Sequence, residues 1–224
     1  MINRKKIVNM IKAVFFDMDG TIADSEKIVW KVTRDFMQKR NIFVTHEEEK
    51  LLYGLIWKES IRRILESRGL EYKQSIKNTL KERYVRHLGR EVTAVPHIHD
   101  LLGRVRDNFK VGLATNSRHR EVDIIFKKLE FDSYFDIKLA RDNVKNVKPH
   151  PEIYLKGAGI FGVDPSECVV FEDSIVGITA AKSAGMKCVA IINTYSAADL
   201  KDADMQIESY KDISVEMIKE LGKN

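Results

Sequence analysis

The sequence predicts an α/β fold: a doubly wound parallel sheet with an all-helical segment inserted after its first strand. Three observations carry this reading. Ala13-Val14-Phe15-Phe16 is a short apolar run that stops at Asp17 and a turn-forming Gly20, as a buried strand does when it ends in a loop. Between residues 24 and 89 apolar residues recur at helical spacing only. After Pro96, short apolar runs alternate with helical patterns, which implies parallel strands covered on both faces in a Rossmann-like core.

Taken in order, residues 13–16 form the first strand. In the insert, Val29, Val32 and Phe36 share one helix face. Ile61, Ile64 and Leu65 share another, and Leu80, Tyr84 and Leu88 a third; the segment predicts about four helices. Further strands are expected at 111–114, 136–139, 168–171 and 187–192, with helices around 98–107, 119–130, 151–161 and 175–184. Residues 211–224 predict a last amphipathic helix. The expected organisation is a core of residues 1–21 and 93–224 with a helical cap of residues 22–92, hinged near 22–25 and 90–95. A chain of 224 residues suits a main domain with a small inserted one.

Hydrophobic residues make up 44% of the chain, enough for a sizeable core. No apolar run reaches ~18 residues, so no membrane span is expected. Arg4, Lys5 and Lys6 precede an apolar stretch that ends at Asp17, without a secretory pattern. Cys168 and Cys188 lie in apolar runs and read as buried thiols of a reducing compartment, so a cytoplasmic location is expected. Lys plus Arg exceed Asp plus Glu by 38 to 33. The excess concentrates in residues 58–90, with ten basic and four acidic residues, but at the spacing of a solvated helix face. Nucleic acid is therefore not an expected partner. A basic cover would instead draw anionic phosphates toward a pocket.

The polar residues after each strand form one set: Asp17-Met18-Asp19-Gly20-Thr21, then Thr115-Asn116-Ser117, Lys148-Pro149 and Glu172-Asp173-Ser174. Strand carboxyl ends in a doubly wound sheet converge on one pocket. Several carboxylates there need a cation, and oxygen donors suit Mg²⁺. Lys148 supplies a compact positive charge, Thr115 a hydroxyl, and the turn after it backbone N–H groups. Such a set neutralises charge on a transferring phosphoryl group.

These four motifs resemble, in order and spacing, those of the haloacid dehalogenase superfamily, and the resemblance covers nearly the whole chain. The insert resembles the helical cap of the branch that contains β-phosphoglucomutase and phosphoglycolate phosphatase. The resemblance implies Asp17 as nucleophile and Asp19 as general acid and base. It implies Mg²⁺ held by Asp17, the Asp19 carbonyl and Asp173, with Glu172 acting directly or through water. Thr115, Asn116 and Lys148 would bind phosphoryl oxygens. The expected partner is a small phosphate ester, bound by a monomer with no membrane or nucleic-acid attachment.

Two enzyme readings stay open, hydrolysis and phosphomutase chemistry. The mutase pattern carries a His where this chain has Val29, and an Arg three residues after a Gly where Gly54 is followed by Trp57. Both departures favour hydrolysis. Trp57 and Tyr53 read either as a sugar-stacking wall or as packing inside the cap, and Trp57 counts as a candidate substrate contact. A third reading, a phosphoacceptor receiver domain, fits neither the position of Asp17 and Asp19 on the first strand nor the insert. Thr21 and Ser174 read as structural caps. His97 and His99 read as loop or first-turn residues, and His150 as a solvated helix start. Arg118 reads equally as a solvated helix start or as facing the substrate entrance.

Overall fold

In the computed structural model the described residues are 10–45, 48 and 57–223, with side chains of 57–60 outside that description. Six strands form one parallel sheet in the order β5-β4-β1-β6-β7-β8: β1 Ala13–Phe16, β4 Lys110–Ala114, β5 Ile137–Leu139, β6 Cys168–Glu172, β7 Lys187–Ile191 and β8 Met205–Ile207. The chain thus winds outward from β1 in both directions, and β1 has a partner on each edge.

Period-two alternation sorts the strand residues to the two faces. Val14 and Phe16, with Val111, Leu113, Val169 and Phe171, join one apolar cluster; Ala13 and Phe15, with Cys168 and Val170, join the other. The first face is covered by α4 (Ile98–Arg106), α5 (His119–Leu129) and α8 (Val215–Leu221). The second is covered by α6 (Glu152–Phe161) and α7 (Ile175–Ser183). Each strand that is fully buried on both faces reads as a continuous apolar run, which is why the sequence announces it.

The inserted helices among the described residues are α1 (Glu26–Gln38), α2 (Trp57–Glu66) and α3 (Gln74–Glu91). Ile28, Val32 and Phe36 of α1 and Leu80, Val85 and Leu88 of α3 continue the first apolar cluster. The chain leaves and rejoins the sheet through two short strands, β2 (Ala23–Asp24) and β3 (Thr93–Ala94), paired antiparallel. Val95 N donates to Ile22 O at 3.0 Å beside them.

Three features depart from the sequence expectation. β2 and β3 lie at the edges of a stretch expected to hold helix alone; two residues are too few to show alternation. β8 was not anticipated either, since Met205-Gln206-Ile207 is a three-residue edge strand, only partly buried. The last helix is shorter than residues 211–224, because the Ser214 hydroxyl accepts from Met217 N at 3.2 Å and fixes its start. Cys168 and Cys188 are free and buried. Burial pushes the Cys168 thiol up to about 12. No helix among the described residues is long and apolar enough to cross a membrane.

The ring of Phe15 occupies a slot made by two glycines. A Cβ on Gly112 of β4 would stand 2.6 Å from it, and one on Gly157 of α6 2.4 Å. Alanine normally favours a helix interior over glycine. Here Gly157→Ala is expected instead to lose about 1–3 kcal/mol to overpacking. Chemical denaturation measures it; an unchanged or raised midpoint would mean the ring has room to move.

Candidate active site

The position of β1 decides what can meet at its end. Phe16 lies in register with Leu113 of β4 and with Phe171 of β6. The next residue, Asp17, donates its N–H to Phe171 O at 3.0 Å and so leaves the sheet beside Glu172. Loops after β1, β4 and β6 therefore open into one space, joined from below by the loop that carries Lys148.

Lys148 is 4% exposed, and its Nζ donates to Asp17 Oδ1 at 2.7 Å and to Glu172 Oε1 at 2.6 Å. Its ammonium also lies 4.9 Å from the centre of the Tyr154 ring. The backbone that delivers it is pinned by a reciprocal pair: Lys148 N donates to Asn116 Oδ1 at 3.0 Å, and Asn116 Nδ2 donates to Lys148 O at 3.2 Å. Glu172 is fully buried and fully used. Oε1 also accepts from Tyr154 OH at 2.9 Å, while Oε2 accepts from Asp173 N, Ser174 N and the Ser174 hydroxyl.

Asp173 sits against Gly20, whose φ of +79° suits glycine and whose added Cβ would fall 2.0 Å from Asp173 Oδ2. Asp173 accepts from the Thr21 hydroxyl at 3.4 Å and the Thr194 hydroxyl at 2.8 Å. Asp17, Glu172 and Asp173 each bring an oxygen within 4.8 Å of the others. Asp19 is held differently, in a cage of hydroxyls: Ser25 Oγ donates at 2.5 Å, Ser117 Oγ at 2.6 Å and Thr115 Oγ1 at 3.5 Å.

The electrostatics are those of a site short of positive charge. Burial pushes the Asp17 carboxyl well above the usual range; Lys148 opposes this, and Glu172 and Asp19 add to it. Burial likewise raises Asp173, with repulsion from Glu172, Asp17 and Glu26. Burial works against the Lys148 charge, but Asp17 and Glu172 together outweigh it and hold the ammonium above an ordinary lysine. One lysine thus faces a cluster of carboxylates whose donors are all oxygen, and this chemistry fits a hard divalent cation.

These groups line a cavity of about 320 Å³. Of the residues expected at the site, Asp17, Asp19, Thr115, Asn116, Lys148 and Asp173 line it, and Glu172 lies directly beneath. Trp57 heads α2, but its side chain lies outside the described residues, as do Tyr53 and Gly54. The aromatic wall among the described residues is Trp30, Tyr84 and Tyr195, beside Val29. Ser174 caps α7 by accepting from Gly177 N at 3.1 Å. Thr21 is not a helix cap: it is fully buried, with its hydroxyl on Asp173 and its carbonyl accepting from Tyr210 OH. His150 Nδ1 accepts from Glu152 N at a helix start, and His99 packs on Phe131 and Tyr134.

Residues missed in the sequence are Ser25, Glu26, Tyr154 and Thr194, whereas Ser117 lines the cavity with the rest of its strand-end set. Glu26 lines the cavity and is raised by burial, against a hydrogen bond from the Thr194 hydroxyl at 2.6 Å. Thr194 was within reach, since it follows β7 as the other polar sets follow their strands.

The family model described as haloacid dehalogenase-like hydrolase matches residues 14–191. The chain is 34% identical over 181 residues to a phosphorylated carbohydrates phosphatase of Thermotoga maritima, covering 79% of this chain and 83% of that protein. It is 28% identical over 221 residues to a β-phosphoglucomutase of Bacillus subtilis, covering 94% and 95% respectively. Among solved structures, a HAD hydrolase of family IA, variant 3, from Entamoeba histolytica superposes with a TM-score of 0.83 at 27% identity, covering 96% of this chain and 100% of that one.

Glu172→Ala leaves Lys148 with one buried carboxylate in place of two, and is expected to cost roughly 3–5 kcal/mol. Gly177→Ala destabilises by itself, since its Cβ would meet Glu172 Oε1 at 1.8 Å. With Glu172 already truncated, the same change gains about 0.5–1 kcal/mol as an alanine in a helix. Denaturant unfolding of the four proteins completes the cycle; strictly additive losses would show that the two residues do not touch.

Proposed function

The chain belongs to the haloacid dehalogenase-like hydrolase family, and within it we propose a Mg²⁺-dependent phosphatase that hydrolyses a small phosphorylated metabolite through an aspartyl phosphate on Asp17. The observation that carries this reading is the setting of Asp17. Its carboxylate stands at the end of the central strand, ion-paired to a buried lysine and grouped with Asp173. Relatives named as phosphatases support hydrolysis as the reaction class.

In the proposed reaction an Asp17 oxygen attacks phosphorus and the ester P–O bond breaks. Asp19 gives its proton to the departing alkoxide oxygen. Asp19 then takes a proton from water as the water oxygen bonds to phosphorus and the Asp17–phosphorus bond breaks. The hydroxyl cage suits both states of Asp19, because Ser25 and Ser117 can donate to the carboxylate or accept from the acid. Lys148 offsets charge on the phosphoryl oxygens and the Thr115 hydroxyl and Asn116 backbone donate to them, while the Asn116 side chain holds the lysine loop. Asp17, the Asp19 carbonyl and Asp173 would hold Mg²⁺, with Glu172 orienting the set from below through Lys148. The cation would offset the repulsion of the carboxylates and draw charge from the phosphoryl group.

Residues 22–92 act in this reading as a cap over a core of 1–21 and 93–224, with the paired β2 and β3 as the joint. Trp57 is kept as a cap contact to substrate. The protein works as a cytoplasmic monomer, a setting that suits two buried thiols. Hydrolysis is favoured over phosphomutase chemistry by Val29, an apolar residue in the cavity wall that cannot move a proton.

With Mg²⁺ the protein is expected to release phosphate from p-nitrophenyl phosphate, and EDTA to stop it. Asp17→Asn should abolish release, and Asp19→Asn should slow it about 10²–10⁴-fold. Mg²⁺ should also raise the melting temperature, since binding to the folded state alone stabilises it. Undiminished turnover in Asp17→Asn would sink the mechanism. Isomerisation of a sugar phosphate with little phosphate release would favour the mutase.

A further inference from the structure

A fifth strand end reaches the site. Ile192, Asn193, Thr194 and Tyr195 follow β7. Ile192 N donates to Ile207 O of β8 at 2.8 Å, which anchors the segment at its base. Asn193 Nδ2 donates to Gly20 O at 2.9 Å, in the turn that follows Asp19. Tyr195 lines the catalytic cavity. Between these two the Thr194 hydroxyl lies 2.8 Å from Asp173 Oδ2 and 2.6 Å from Glu26 Oε2.

The two acceptors belong to different parts of the chain. Asp173 follows β6 and is grouped with Asp17 and Glu172, whereas Glu26 opens α1, the first inserted helix. A hydroxyl donates one proton. With two carboxylates as neighbours, a bond to one turns the Thr194 lone pairs toward the other. Asp173 is buried and Thr194 and Glu26 are half-buried, so water relieves that conflict poorly. α1 is also held within the insert, where Lys31 donates to both oxygens of Glu91 at the end of α3. The Thr194 contact instead crosses from the sheet to the insert.

We propose that Thr194 is a positioning residue that couples cation occupancy at Asp173 to the seating of α1. The inference rests on the Mg²⁺ reading above. As free carboxylates, Asp173 and Glu26 compete for the single hydroxyl proton. A cation held by Asp173 draws charge from its oxygens and weakens them as acceptors. Glu26 stands outside the group of metal-ligating oxygens, so it keeps its strength as an acceptor. The Thr194 proton then goes to Glu26, and the first turn of α1 is fastened to the sheet. That turn leads into Val29 and Trp30 on the cavity wall, so filling the cation site also steadies the surface that the leaving group meets. The coupling is mutual, because a seated α1 takes the proton from Asp173 and leaves its oxygens to the cation.

The test is amide hydrogen exchange of the full chain with and without Mg²⁺ alone, at concentrations that saturate each protein by calorimetry. The unsubstituted chain is compared with Thr194→Val, Thr194→Ser and Glu26→Gln. Residues 17–22 should gain protection from Mg²⁺ in all four, which marks the ion as bound. Exchange across residues 27–31 should slow about fivefold or more in the unsubstituted chain and in Thr194→Ser, which keeps the hydroxyl. It should not slow in Thr194→Val. In Glu26→Gln it should slow less than about twofold, because the amide donates to Thr194 and ends the competition. An α1 response that survives Thr194→Val, or one that Thr194→Ser fails to restore, overturns the proposal. So does a protected 17–22 beside an unresponsive α1 in the unsubstituted chain, and these three outcomes leave the Mg²⁺ reading intact. No calorimetric binding and no protection at 17–22 would sink that reading and the coupling with it.

Discussion

Asp17 and Glu172 lie at the ends of neighbouring strands and share one buried ammonium, that of Lys148. Both carboxylates are buried, so each depends on the lysine, and the lysine depends on both. Much of the surrounding structure serves to hold this triad. Tyr154 reaches up from α6 to Glu172, Ser174 and the backbone behind it close the other oxygen, and Asn116 clamps the lysine backbone. The absence of a side chain on Gly177 lets the Glu172 carboxylate press against the first turn of α7. The sheet order follows the same need, for only a central β1 can bring residues from β4 and β6 to both sides of Asp17.

The triad does not balance its own charge. Asp173 adds another buried carboxylate beside it, and Asp19 and Glu26 lie within electrostatic reach. The site therefore has a preformed demand for positive charge, which a divalent ion or the binding of nearby cationic groups must meet. Around Asp17 the wall is rich in carboxylate; across Tyr84 and Ser117 it turns cationic.

Most of the core and of the candidate site was legible in the sequence, for a physical reason. Strands buried on both faces must be continuously apolar, so Asp17, Thr115 and Glu172 stood out as the first polar groups after such runs. The same rule applied to β7 points to Asn193 and Thr194, which bond to Gly20 O and to Asp173. Tyr84 and Tyr154 were hidden because their rings complete helical apolar faces while their polar ends reach into the site. The basic run at 58–90 has the spacing of a solvated helix face. Its Lys77 and Lys81 line a cavity only because β4 and β5 supply Arg118 and Arg141 opposite them, a juxtaposition that no local pattern encodes.

Thr194 ties these parts together. Its hydroxyl stands 2.8 Å from Asp173 and 2.6 Å from Glu26, yet it has a single proton to donate. Both contacts are satisfied only if one carboxyl brings a proton of its own or if another positive charge relieves Asp173. Glu26 belongs to α1, the first helix of the insert, whereas Asp173 follows β6 in the core. The charge state of the core carboxylates therefore bears directly on how α1 is held. The helical segment is coupled to the site through a hydrogen bond as well as through shared apolar packing, and the same helix brings Val29 and Trp30 to the cavity wall.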